Sequence, residues 1–125
     1  MKLSTGIDLI EIERIQKALD RHGERFLKRI YTQAEITNAR GSAPELAVRF
    51  AAKEATSKAL GTGIGPVSWV EMEILNERSG KPILRLSGRA KAIAQAQGFE
   101  TWSVSLTHSK GMAAAVVVCG SVAPD

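Results

Sequence analysis

Thr101-Trp102-Ser103-Val104-Ser105-Leu106-Thr107-His108, then Ser109-Lys110-Gly111, then Met112-Ala113-Ala114-Ala115-Val116-Val117-Val118-Cys119: two apolar-rich runs meet at a glycine-ended turn. The pattern predicts an antiparallel hairpin, and it decides the fold class. Upstream, Trp69 to Leu75 alternates like a strand, Asn76 to Pro82 supplies a turn, and Ile83 to Leu86 returns as the partner. Lys2 to Ile10 reads as one more strand, with Ile7 and Leu9 among apolar neighbours. Hairpins late in the chain and helices early in it predict an α+β fold, a small antiparallel sheet with packed helices, and exclude a doubly wound parallel sheet.

The helices follow from their punctuation. Ile10, Ile15 and Leu19 recur at helical spacing, and so do Phe26, Leu27 and Ile30 beyond a break at Gly23. Thr32-Gln33-Ala34-Glu35 fits a capping box opening a short helix to about Arg40. Gly41-Ser42-Ala43-Pro44 is a loop, and Pro44 opens a helix that runs to about Leu60, rich in Ala, Glu, Lys and Leu. Gly61-Thr62-Gly63-Ile64-Gly65-Pro66 stops it. Ser87 caps a further helix from Gly88 to about Gln97, closed by Gly98.

One domain spanning 1–125 suits the length, with 120–125 expected as a flexible tail. The single cysteine, Cys119, excludes an internal disulfide and reads as a buried strand residue. The longest apolar run, Met112 to Cys119, is far short of the ~20 residues that cross a bilayer. A cytoplasmic location with no membrane partner is therefore expected. The net charge of +4 suits an acidic partner or an anionic ligand and is modest for DNA binding, so nucleic acid is not the expected partner.

Chemistry concentrates in Arg49-Phe50-Ala51-Ala52-Lys53-Glu54-Ala55-Thr56-Ser57-Lys58-Ala59-Leu60-Gly61. On a helix, Phe50, Glu54, Ser57, Lys58 and Gly61 share one side. A carboxylate, a hydroxyl and an ammonium within two turns can hold a hard cation and a phosphate. By spacing alone, Glu54 and Lys58 are equally an ordinary i,i+4 surface pair. Asp8, between Ile7 and Leu9, is either a second cation ligand or a solvent-facing or capping residue. His108 shares a strand face with Trp102, Val104 and Leu106, where it can meet a phosphate or serve as a hydrogen-bonded structural residue. Arg14, Arg21, Arg25 and Lys28 form a basic stripe that is either solvated or a docking face for an acidic protein. His22 reads as solvated. Neither a nucleophile elbow nor a His-Glu-x-x-His zinc spacing occurs, so covalent catalysis has no candidate.

Gly6-Ile7-Asp8, the Arg49–Lys58 segment, Gly61-Thr62-Gly63-Ile64-Gly65 and Ser105-Leu106-Thr107-His108-Ser109 together resemble the holo-acyl-carrier-protein synthase type of phosphopantetheinyl transferase, from about Lys2 to Val118. The resemblance implies a 4′-phosphopantetheinyl transferase-like fold and transfer of phosphopantetheine from coenzyme A to a serine of an apo-acyl carrier protein. It implies Asp8 and Glu54 as magnesium ligands and, with Lys58, as the catalytic set. It implies Arg49, Phe50, Ser57, Lys58, Gly61 and His108 around coenzyme A, and Arg14, Arg21 and Arg25 for carrier docking. A homotrimer with sites between subunits is implied as well. The base for the serine proton is open between Glu35 and Glu54. The stretch from Asn38 to Glu45 carries only Arg40 as a basic residue, which departs from the family pattern, and Glu11 and Glu13 are rival ligands beside Asp8.

Two other readings compete. A magnesium-dependent phosphohydrolase of nucleotide-like pyrophosphates would use the same cation site without a carrier. A non-catalytic module binding acidic protein or nucleic acid through the basic stripe would need no metal and would weaken steeply with salt.

Overall fold

The protein is described by a computed structural model covering residues 1–121. Strand β1 (Lys2–Glu11) leads into helices α1 (Ile12–His22), α2 (Glu24–Ile30), α3 (Gln33–Ala39) and α4 (Ala43–Leu60). A 3-10 turn (Trp69–Glu71) precedes β2 (Met72–Asn76), β3 (Pro82–Leu86), α5 (Gly88–Ala96), β4 (Thr101–Ser109) and β5 (Met112–Ser121). The strands form two antiparallel sheets, β1-β5-β4 and β2-β3. The expected α+β class holds. Boundaries shift in places: Trp69 to Glu71 coil into a 3-10 turn before β2, α1 starts at Ile12 and not Ile10, and Gly120 and Ser121 belong to β5. The remainder of the expected tail, 122–125, lies outside the described residues.

The punctuation at Thr32 and Gly61 acts where it was read, α4 opens one residue before Pro44, and Ser87 precedes α5 without a side-chain cap bond. The Thr32 hydroxyl accepts from Glu35 N while the Glu35 carboxylate accepts from Thr32 N, closing the capping box. Ser42 caps α4 with its hydroxyl on Glu45 N, and Gly61 closes the helix in the left-handed region at φ 78°.

Helix α4 lies across one face of the three-stranded sheet. Alternation sends Ile10, Val104, Ala113, Ala115, Val117 and Cys119 into the core beneath it. Ala47, Ala51, Ala52, Ala55 and Ala59 face them, small enough to bring helix and sheet close. The closest approach is at Gly6, where an added Cβ would overlap the Ala55 carbonyl oxygen and stand 3.1 Å from Ala59 N. The Ser4 hydroxyl donates to Ala59 O at 2.6 Å and fastens the same contact. A smaller cluster, Leu60, Val67, Met72, Ala90 and Ala94, seats α5 and the 3-10 turn.

Among the described residues, nothing covers the opposite face of that sheet. Leu3, Ile7 and Leu9 on β1, with Val116 and Val118 on β5, are exposed there; Ile7 is 67% exposed. That is a contiguous apolar patch on a regular sheet face, the kind of surface that marks an interface.

Candidate active site

The close packing of β1 on α4 builds a site at the edge of the sheet. Asp8 lies two residues past Gly6 and faces the same way, toward α4. The Lys58 ammonium donates to the Ile7 carbonyl at 2.9 Å and to Asp8 Oδ1 at 3.3 Å. Glu54, one turn earlier on α4, completes the group. Burial and then the charge of the neighbouring Asp8 carboxylate push the Glu54 carboxyl above its ordinary range, and Lys58 pulls it back. Two carboxylates therefore converge on a space held by one ammonium. Among the described residues no group of three or more His, Cys, Asp or Glu side chains could hold a metal. A two-carboxylate set suits magnesium, which takes one or two carboxylates and completes its shell from water and phosphate. Glu11 and Glu13 are not rivals: Glu11 falls on the other face of β1, and Glu13 pairs with Lys17 at 3.4 Å.

Other candidates of the same helix turn inward. Ser57 is fully buried and its hydroxyl donates to Glu54 O at 2.7 Å, so here it locks the helix. Arg49 is 1% exposed. Its guanidinium donates to Ile74 O at 3.1 Å, Glu45 Oε2 at 3.0 Å and Asn76 Oδ1 at 2.8 Å, which makes it an anchor between α4 and β2. Helical spacing puts Ser57 on the side of Glu54 and Lys58, and the resemblance alone brought in Arg49; α4 is covered on nearly all sides, so both bond to the protein itself. Phe50 stacks on Trp69 with ring centroids 4.7 Å apart. Gly61 is exposed at the helix end, and the space around its Cα is open.

Glu35 cannot be the base. It is fully buried; it accepts from Lys53 Nζ at 2.7 Å and from Ile74 N at 2.9 Å. Lys53 also donates to Trp69 O and Met72 O, at 3.0 and 2.6 Å. This saturated pair ties α3, α4 and β2 together; the sequence reading gave Lys53 no role, and a lysine inside a helix carries no signal of burial.

His108 stands apart from Asp8. Its register partner on β5 is Ala113, whereas Asp8 pairs with Ala115, and β5 lies between the two outer strands. With strands ~4.8 Å apart, the two side chains sit about two strand spacings from each other. His108 instead lines a cleft of about 380 Å³ with Thr107, Glu45, Val48, Asn76 and Pro82. Thr107, Glu45 and Asn76 were not foreseen, since loop ends and helix starts from three elements meet only in the fold.

The basic stripe is exposed along α1 and α2: Arg14, Arg21 and Arg25 have no ion-pair partner among the described residues. Lys28 is 3.9 Å from Glu24. Gly23, at φ 51°, breaks the helical path between α1 and α2. His22, Arg25 and Arg29 rim a cleft of about 330 Å³ floored by Phe26, Ile30 and Trp69.

The fold is an α+β domain in which two carboxylates and one ammonium meet where β1 crosses α4. The sequence pattern of the 4'-phosphopantetheinyl transferase superfamily matches residues 4–117, and the chain belongs to that superfamily. A holo-[acyl-carrier-protein] synthase of Herpetosiphon aurantiacus is 50% identical over 123 residues, covering 93% of this chain and 97% of the relative. The crystal structure of the Helicobacter pylori holo-[acyl-carrier-protein] synthase in complex with coenzyme A superposes with a TM-score of 0.86 at 35% identity, covering 93% of this chain and 99% of that one. A Bacillus anthracis holo-(acyl-carrier-protein) synthase in complex with coenzyme A (3',5'-ADP) is 42% identical with a TM-score of 0.78, covering 94% and 96%. Within the superfamily the chain groups with the holo-[acyl-carrier-protein] synthases.

Proposed function

We propose that this protein moves the 4′-phosphopantetheine group from coenzyme A to a serine of an apo-acyl carrier protein in a magnesium-dependent reaction. The carrying observation is the convergence of Asp8, Glu54 and Lys58 where β1 crosses α4. Likeness over the whole chain to synthases solved with coenzyme A supports it.

In this reaction the serine oxygen bonds to the phosphorus next to the pantetheine, the bond to the bridging oxygen breaks, and adenosine 3′,5′-bisphosphate leaves. The work asked of the protein is positioning and charge neutralisation. Asp8 and Glu54 would hold the magnesium, which supplies positive charge against the pyrophosphate when bound. Lys58, with its side chain 52% exposed, can aim its ammonium at the same phosphates. Gly61 leaves the backbone open beside them, and the Phe50–Trp69 stack gives a rigid wall. Glu54, beside Asp8 and Lys58, remains the candidate for receiving the serine proton through water.

Coenzyme A is long, and the His108 cleft is its natural second station. One strand, β5, separates that cleft from Asp8; a homotrimer with sites between subunits would set one subunit's cleft beside its neighbour's carboxylates. The exposed Leu3, Ile7 and Leu9 support that assembly. Arg14, Arg21 and Arg25 would meet the acidic carrier. The buried free thiol of Cys119 suits the reducing cytoplasm, with fatty-acid or polyketide carriers as substrates. Among the described residues no helix is long and apolar enough to cross a membrane.

The test is product stoichiometry. One adenosine 3′,5′-bisphosphate should appear per carrier modified, and none without carrier. Release without carrier would favour the phosphohydrolase reading instead.

A further inference from the structure

The cation that the site displays is its own. Lys58 Nζ sits 2.9 Å from the Ile7 carbonyl and 3.3 Å from Asp8 Oδ1, on the line where β1 meets α4. Asp8 is largely covered, its side chain 19% exposed, and among the described residues no other side chain donates to it. Glu54 feels both Asp8 and Lys58. The charged groups gathered here are thus two carboxylates and one ammonium, one unit short of neutrality.

A divalent cation arriving alone must either dislodge Lys58 from Asp8 or share the carboxylates with it. The first breaks two hydrogen bonds; the second leaves the site with an excess positive charge. The pyrophosphate of coenzyme A, with two negative charges, removes the conflict because it gives the ammonium a new partner and the metal further oxygen ligands. We propose that Lys58 is the resident counter-ion of the free site, so that the metal ion and coenzyme A bind as a coupled pair and each binds weakly without the other. The inference rests on the reading of Asp8 and Glu54 as metal ligands. By linkage, the factor by which coenzyme A tightens the metal equals the factor by which the metal tightens coenzyme A. The device keeps the free enzyme from filling its site with metal alone and shields Asp8 until the donor arrives.

The test is a manganese titration followed by electron paramagnetic resonance, with the full-length protein, with and without coenzyme A. Lys58 is half exposed, so Lys58→Met should fold. Removing its charge should tighten manganese in the coenzyme-free protein about tenfold, the scale for one unit charge at a partly solvated distance of a few ångström. The gain in manganese affinity on adding coenzyme A should shrink by the same factor. Lys58→Gln retains a donor for the Ile7 carbonyl and should behave as Lys58→Met does. Unchanged or weaker manganese binding in coenzyme-free Lys58→Met would overturn the inference, and so would a gain confined to Met, which would trace to the lost strand contact. Glu54→Gln separates the two readings. If manganese bound with coenzyme A is lost in Glu54→Gln, the metal site stands whatever Lys58 does. If it persists there, Glu54 is not a ligand, and the metal reading and this inference fall together.

Discussion

Gly6→Ala would test how the fold sets the site. The new methyl would stand 2.7 Å from the Ala55 carbonyl carbon and 3.1 Å from Ala59 N, and would overlap the Ala55 carbonyl oxygen. These are backbone atoms inside α4, so no side-chain rotation relieves the clash. Strand and helix must separate by something on the order of 1 Å, and overpacking of this kind costs ~1–3 kcal/mol. The same movement carries Asp8, two residues along on the same face, away from Lys58 and Glu54. It also stretches the Ser4–Ala59 bond, now 2.6 Å. A displacement of ~1 Å at a site that works by positioning costs up to ~100-fold in rate. Urea unfolding gives the first quantity and initial rates of carrier modification across a magnesium series give the second. The expected signature is a folded protein with a modest stability loss, a much lower kcat and a raised magnesium requirement. A variant within 0.5 kcal/mol of the parent that keeps full activity at low magnesium would refute the claim that this contact sets the site.

Further predictions follow from other residues. Glu35→Ala strands the Lys53 ammonium in the core and should cost ~3–5 kcal/mol in urea unfolding, while the double variant Glu35→Leu with Lys53→Met should recover most of it. Glu71 accepts from Ser68 N at 2.8 Å and Arg89 N at 2.6 Å, and these bonds, the Ser68 backbone N–H first, hold its carboxyl below the usual 4.5. A depressed folded pKa gives stability that is present above 4.5 and lost as pH falls through the folded value; Glu71→Gln should cost ~1 kcal/mol at pH 7 and less at each step below 4.5 in thermal melts. Replacing Arg14, Arg21 and Arg25 together by Ala should raise KM for the carrier with kcat nearly kept and flatten its salt dependence; unchanged KM would remove them from docking. Ile7→Glu on the uncovered sheet face should yield monomers in sedimentation and abolish transfer, and active monomers would contradict a site shared between subunits.

The sequence was most legible where local chemistry decides the outcome. Thr32 and Gly61 bound their helices because a hydroxyl or an absent Cβ satisfies a helix end with no help from the rest of the fold. The terminal hairpin was equally plain, since alternation fixes which residues share a face. Less visible was everything set by three-dimensional cover. The helical wheel put Ser57 beside Glu54 and Lys58, yet α4 is so enclosed that Ser57 and Arg49 bond to the protein itself. The strand pattern grouped His108 with Trp102, Val104 and Leu106 but could not show that β5 stands between it and Asp8. Glu35 looked available as a base because capping boxes are ordinarily solvated, and only the fold reveals Lys53 against it. Gly6 carried no local signal at all, as its reason is a helix some fifty residues away.

The most direct measurement is the intact mass of an apo-acyl carrier protein after incubation with this protein, coenzyme A and magnesium. The account predicts a gain of one phosphopantetheine per carrier, absent with chelator and lost in Glu54→Ala. No gain with any of several carriers, or a gain that survives both chelator and Glu54→Ala, would contradict it.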